Sequence, residues 1–330
     1  MRLSINYSMM TWLLVLPVTL IVLSVAACSG TTPRDESAVL KIVTTSNFIA
    51  DWARNVGGDR VEVFSLMPAD ADPHSFRPGA QDVTKVADAD LVISVGLSLE
   101  AEWLSKLLDN ASLDSSRVIE LGKSIDPIVI ADDVHDDKKD HREEDEDKEG
   151  HGEDKEGHGV ADPHFWLDPL RVKLAVTLIE DHMSELDPDG AGQYRDRSET
   201  YMGKLDELHS WTLTQIKTVP NDRRRLATTH DGLRYFAELY GFILVGATFH
   251  GSIHGHDPSA EEIARIVDRI AEMEVPAVFV EDARSDRLAS TIAEETGAVI
   301  VPGVRIGSLG PADSVAATYV DMLRSNVKVI

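Results

Sequence analysis

A single cysteine, Cys28, stands among 330 residues. No disulfide framework can form within the chain and no thiolate cluster can hold a metal. Any bound ion must therefore be held by His, Asp, Glu or water. Cations are also scarce, with 32 Lys and Arg against 57 Asp and Glu, a formal charge of -25. That balance argues against nucleic acid and anionic membrane as electrostatic partners, because both repel an acidic surface. The first apolar strand pattern, LKIVTTSNF, is not followed by a GxGxxG turn, which excludes a Rossmann dinucleotide site. An HExxH helix is missing too, so the usual zinc-hydrolase pairing is absent.

Long hydrophobic runs are missing except at one place. Residues 9–27 are almost wholly apolar, follow a short start with Arg2, and stop abruptly at Cys28. A charged start, an apolar centre and small residues before the cut make a signal peptide. Val25, Ala26, Ala27 and Cys28 resemble a bacterial lipobox, so residues 1–27 are expected to be removed and Cys28 lipidated. The alternative is an uncleaved anchor, since the run is nearly long enough to span a bilayer. The first reading places the mature chain outside the cytoplasm, tethered to a bacterial membrane.

With 43% hydrophobic residues the remainder can bury ordinary cores. From residue 39 onward, short β-branched runs alternate with amphipathic stretches. The strand candidates are 40–46, 61–67, 90–96 and 117–121, then 224–229, 242–248, 277–282 and 298–303. Helices are expected at 48–56, 81–87, 99–108, 233–239, 259–273, 286–295 and 315–324. This alternation indicates an α/β fold with parallel sheets covered on both faces. Residues 190–218 read as one long helix, with apolar Tyr201, Leu205, Leu208, Trp211 and Leu213 near helical spacing. Residues 131–160 cannot form a core: they hold 14 acidic and 5 basic residues, net -9, and four histidines. The expected division is 38–186, with the 131–160 loop inside it, then a linking helix 188–218, then 222–330.

Three histidines lie where loops leave strands or open helices. His74 and His164 each close an Asp-Pro-His triplet, and His230 precedes Asp231. Proline fixes its own φ and biases its predecessor to extended backbone, so both triplets should present imidazoles from stiff turns. The aspartates are placed to set the ring tautomer by a hydrogen bond. Ligands collect beyond the carboxyl ends of parallel strands, where all three histidines fall. A lone histidine at a helix start is more often a cap, and only the repeated triplet lifts the metal reading to equal footing.

These blocks, in this order, resemble the metal-binding lipoproteins of bacterial ABC importers for zinc and manganese. DPHSFRPG, DPHFWLDP, THDGLRYFAELYGF, FVEDARSDRLASTIAEETGA and the closing VPGVRIGSLGPADSV carry the resemblance. It implies two (β/α) lobes with four-stranded parallel sheets, bridged by one long helix, and an ion at their interface. It implies His74, His164 and His230 as ligands, a membrane permease and its ATPase as partners, and a monomer. It also brings a possible cell-adhesion label, because some relatives were first described as adhesins. Many members carry an aspartate as fourth ligand where this chain has Gly307. Water, Glu281, Asp282 or a histidine of the 249–259 loop are the candidates for that place, water first and Glu281 second.

Three imidazoles favour zinc, copper or nickel over magnesium or calcium, and loss of the carboxylate, with the His- and acid-rich insert, favours Zn(II) over Mn(II). The acidic insert, with His135, His141, His151 and His158, is either a weak zinc-gathering site or a solvated spacer. His250, His254 and His256 are either a further weak site or lid, or ordinary loop residues. The rival classes are a manganese-type binding protein, a structural lipoprotein or adhesin, and a three-histidine zinc hydrolase; an enzyme is not expected.

Overall fold

The computed structural model describes residues 39–130, 159–228, 232–245, 259–281 and 286–330. Strand β1 (Leu40–Thr44) is buried at four of its five positions, as a central parallel strand must be. It pairs with β2 (Val61–Ser65) on one side and β3 (Leu91–Ser94) on the other, and β4 (Val118–Glu120) completes the order β2-β1-β3-β4. All three pairings are parallel, so each strand must be followed by a crossover. Helix α1 (Asn47–Gly57) supplies the first, capped by Ser46, and buries Phe48, Ile49, Trp52 and Val56. Helix α2 (Ala80–Asp88) and helix α3 (Leu104–Ala111) supply the next two.

The second sheet repeats the arrangement. Strands β7 (Arg225–Thr228), β8 (Ile243–Leu244), β9 (Ala277–Val280) and β10 (Val299–Pro302) lie in the order β10-β9-β7-β8, again parallel. Helices α6 (Arg234–Tyr240), α7 (Ala260–Glu272), α8 (Asp286–Thr296) and α9 (Tyr319–Val329) accompany it. Ser259 and Glu262 form a reciprocal capping box at the start of α7.

Between the sheets run α4 (Pro169–Leu186) and α5 (Ala191–Ile216), the longest helix described. Its buried stripe is Tyr194, Ser198, Tyr201, Leu205, Leu208, Thr212 and Ile216, spaced by threes and fours along one face. Leu213 falls off that stripe and is exposed, contrary to the pattern read from sequence, while Trp211 is half-buried. One core cluster runs from Leu40 and Ile42 of β1 through Leu205 and Leu208 of α5 to Phe279 of β9 and Leu323 of α9.

Three elements differ from expectation. Helix α3 begins at Leu104, not 99, because Leu97 and Ser98 have positive φ and the buried Glu100 side chain bonds back to strand ends. Helix α9 begins at Tyr319, where Thr318 accepts from the Asp321 N–H, four residues later than the apolar pattern suggested. Helix α4 was absent from that pattern altogether, although Asp168 followed by Pro169 is a strong start signal: Asp168 accepts from Leu170 N and Arg171 N. The acidic insert springs from an unforeseen antiparallel pair, β5 (Val129–Ile130) with β6 (Val160–Ala161). Its histidines, His135, His141, His151 and His158, lie outside the described residues, as do Cys28, His230, His250, His254, His256 and Asp282.

Candidate metal site

Both Asp-Pro-His triplets fold into the same turn. Asp72 Oδ1 accepts from His74 N at 2.9 Å, and Asp162 Oδ1 accepts from His164 N at 2.9 Å. Proline between them holds the chain extended enough for the short carboxylate to reach two residues on. The two turns bring the imidazoles together, with ring centroids 5.6 Å apart. The other two described histidines go elsewhere: His182 Nδ1 lies 2.9 Å from Leu178 O, and His209 Nδ1 lies 3.2 Å from Tyr240 Oη.

His164 is the better-defined of the pair. It is 2% exposed, and its Nδ1 lies 2.8 Å from Asp162 Oδ1. A carboxylate on Nδ1 favours the tautomer that carries its proton there, the one in which an imidazole ligates an ion through Nε2. Asp162 is itself buried, so its charge needs partners. Arg234 Nε stands 3.6 Å from Asp162 Oδ2 and partners the charge, while the Tyr235 hydroxyl donates to the Asp162 backbone carbonyl at 2.6 Å. Burial pushes the Tyr235 hydroxyl well up, which keeps it a donor. Trp166 packs against the His164 ring at 5.1 Å and stacks on Phe48 at 4.5 Å, closing the site from below with apolar surface.

The C-terminal half reaches this place through residues 305–309. Trp166 Nε1 donates to Ile306 O at 2.7 Å, and Arg305 Nη1 meets Asp70 Oδ1 at 2.5 Å. Asn47 bonds Leu309 both ways, accepting from its N at 2.9 Å and donating to its O at 3.2 Å. Glu281 Oε1 accepts from Ile306 N at 2.5 Å and Gly307 N at 2.9 Å. That carboxylate therefore braces the peptide at the position where an aspartate was expected. Another carboxylate, the buried Glu100, braces the N-terminal sheet. It accepts from Thr45 Oγ1 at 2.6 Å, Val95 N at 2.8 Å and Gly96 N at 3.0 Å, tying the ends of β1 and β3 together. Burial raises its pKa, and these three donors only partly offset that. The bracing roles of Glu281 and Trp166 carried no sequence signal, because their partners at 306 and 307 are backbone groups 25 or more residues away in the chain.

Among the described residues no three His, Cys, Asp or Glu side chains form a metal-holding group. The pair His74 and His164 is what the structure assembles; the third expected ligand, His230, follows the end of β7 by two residues in sequence but is not described.

Two four-stranded parallel sheets, a long helix and a pair of neighbouring histidines are the features that the comparisons with known proteins bear on. The chain belongs to the family of the periplasmic component A of the zinc-uptake complex, ZnuA, whose profile matches residues 42–330. It is similar to the manganese-binding lipoprotein MntA of Halalkalibacterium halodurans, at 32% identity over 313 residues and 94% of each chain. It is also similar to the manganese ABC transporter substrate-binding lipoprotein PsaA of Streptococcus mitis, at 27% identity over 323 residues and 96% of each chain. The Mn-bound periplasmic metal-binding protein of Candidatus Liberibacter asiaticus shares the fold, with a TM-score of 0.72 at 23% identity. That match covers 88% of this chain and 97% of the other. The protein is thus the extracytoplasmic metal-binding component of an ABC importer, a solute-binding protein by family.

Proposed function

We propose that this protein captures Zn(II) through His74, His164 and His230 and delivers it to a membrane permease driven by its ATPase. The observation that carries this reading is the His164 ring, buried and oriented by Asp162, with His74 beside it. A buried imidazole whose Nδ1 faces a carboxylate is prepared to ligate through Nε2, the usual arrangement at zinc sites. Water takes the fourth position first, and Glu281 second. Glu281 is the weaker candidate because one of its oxygens already serves two peptide N–H groups. Imidazole donors without a side-chain carboxylate at 307 favour zinc over manganese. The relatives named for manganese support the competing Mn(II) reading, and titration separates the two.

The remaining assignments belong to the same reading. Cys28 carries the lipid after removal of residues 1–27, leaving a monomer tethered outside the cytoplasm. The lobes are 38–186 and 222–330, joined by 188–218. The 131–160 insert gathers zinc weakly through His135, His141, His151 and His158. Turnover is no part of the role, and an adhesin label would describe location rather than mechanism.

The test is titration of the metal-free protein with Zn(II) and Mn(II), by competition against a chelator, beside His164→Ala. One tight zinc equivalent, lost in His164→Ala, with manganese far weaker, is the expected result. Tight binding that survives the substitution would refute the ligand set, and a manganese preference would refute the choice of ion. Removing 132–159 should slow uptake at limiting zinc; an unchanged rate would leave the insert as a spacer.

A further inference from the structure

We propose that the cavity between helices α1 and α5 is a separate binding site, one that takes a phosphate group. The cavity has a volume of about 440 Å³, lined by Arg54 and Asn55 of α1 and by Arg197, Thr200, Tyr201 and Lys204 of α5. Three of these six residues are cations and none is an acid, in a chain whose formal charge is -25. The helical period accounts for this local excess of one sign. Positions 197, 200, 201 and 204 form one stripe of α5, whereas Asp196, Glu199, Asp206 and Glu207 fall off it.

The cations keep donors to give. Arg54 Nη2 donates to Val63 O at 3.0 Å, and Arg197 Nη2 stands 3.6 Å from Asp59 Oδ1. A guanidinium has several N–H donors, so each arginine retains others. The Asp59 side chain is exposed, which makes that ion pair a weak competitor. Lys204 forms no ion pair among the described residues. Asp51, one turn before Asn55, faces away from this role: its Oδ2 accepts from Tyr201 Oη and Tyr319 N, both at 3.2 Å. Arg197 is also seated. Its guanidinium rests against Gly58, where an added Cβ would collide with Cζ.

Two guanidinium forks and an ammonium suit a compact anion with oxygens on several sides. Forks match phosphate oxygens in pairs, and lysine adds a point charge. A lone carboxylate has too few oxygens to serve three cations at once.

The cavity lies apart from the histidines. Helix α1 begins where Asn47 bonds Leu309, and Arg54 follows two turns later, ~10 Å along the axis. Residues 58–60 then lead into β2, whose Val61 is level with Leu40 of β1. The cavity therefore sits toward the edge where the parallel strands begin, whereas His74 follows the opposite end of β2. Cys28 precedes Leu40 by a dozen residues, a reach of at most ~40 Å. On the reading that Cys28 carries the lipid, the tether enters at this edge, and headgroups supply the phosphate. Free phosphate is the other source of the same chemistry.

The intact chain is compared with Arg197→Gln, Lys204→Gln, their double variant, and Arg265→Gln, a cation of α7 outside the cavity. Each is titrated by calorimetry with inorganic phosphate and with soluble dihexanoyl phosphatidylglycerol, and melted to confirm folding. One equivalent should bind, ~10-fold more weakly in each single cavity variant and not at all in the double variant. Arg265→Gln should bind like the intact chain. Tighter binding of the lipid probe, lost in the double variant, assigns the headgroup; tighter inorganic phosphate assigns the free anion. Should the double variant melt early, Lys204→Gln decides alone, since Lys204 is an exposed side chain. Absence of binding by the intact chain would overturn the site, whatever the fate of zinc or of Cys28. So would binding that a folded double variant keeps, or an equal loss in Arg265→Gln.

Discussion

Asp162 Oδ1 takes two contacts from one residue: the backbone N of His164 at 2.9 Å and its ring Nδ1 at 2.8 Å. One oxygen thus fixes both the turn and the tautomer. Replacing Asp162 with Asn keeps a side-chain oxygen but removes the charge that holds the Nδ1 proton, and leaves Arg234 without its carboxylate. Asp162→Asn should weaken zinc binding by ~10–100-fold, the usual cost of losing such a partner. Chelator competition measures it, with a metal-free melt alongside. Unchanged affinity would remove Asp162 from the site.

Metal and protons compete for the same imidazole lone pairs. Zinc affinity should fall as the solution is acidified through the range in which free imidazole titrates, near ~6.5. Competition titrations across that range provide the check. A flat profile between pH ~8 and ~5 would contradict a site built on histidine.

Acid stability should depend on a cluster remote from the histidines. Arg60 grips both oxygens of Asp187 at 2.8 and 2.9 Å, and the Tyr194 hydroxyl donates to Asp187 at 2.6 Å. Burial raises the Asp187 pKa, but Tyr194 and Arg60 lower it more, so the net shift is below 3.8. The Tyr194 hydroxyl is pushed up to about 12 by burial and by Asp187, and it remains a donor. A carboxyl depressed on folding contributes stability above its unfolded pKa and loses it as pH falls through the folded one. Asp187→Asn should therefore cost ~1–3 kcal/mol at neutral pH. That difference should shrink below pH ~4, where the unaltered protein also protonates. Urea unfolding at both pH values tests the sign; a gap that widens in acid would refute it.

Asn47 joins the first helix to the segment that carries Gly307. Asn47→Ala removes both hydrogen bonds to Leu309 and the longer one to Pro68 O at 3.5 Å, and leaves the Leu309 N–H and carbonyl to find other partners. The expected loss is ~1–3 kcal/mol of stability, with slower or weaker zinc binding because residues 305–309 are less firmly held. A melt and a zinc titration on one preparation would show whether the two effects travel together. Loss of stability with undisturbed binding would mean that this segment supports the fold only.

Much of the architecture was legible because parallel strands buried on both faces leave uninterrupted β-branched runs. Leu91 to Ser94, all four buried, is the clearest case. The Asp-Pro-His turns were legible for a local reason, since each aspartate bonds only two residues away. Helix α4 was not, because exposed Leu170 and Leu174 put apolar residues on the face away from Val172, Val176, Ile179 and Met183, which blurs the helical period. The start of α3 was misplaced because Glu100 reads as a surface residue, yet is 3% exposed and bonded to two strand ends.

By itself the sequence determined what short-range chemistry can determine. It excluded thiolate and dinucleotide chemistry, set the order of strands and helices, and put histidines on stiff turns. The tertiary structure decided what depends on atoms distant in the chain. It set His74 and His164 5.6 Å apart across 90 residues of sequence. It turned Glu281 toward the 306–307 peptide and laid Pro73 over Gly307. Glycine at 307 looks like a vacancy in one dimension. In three it lies against Pro73, whose Cδ is 2.9 Å from where a Cβ would sit, so a larger residue there requires a neighbour to shift.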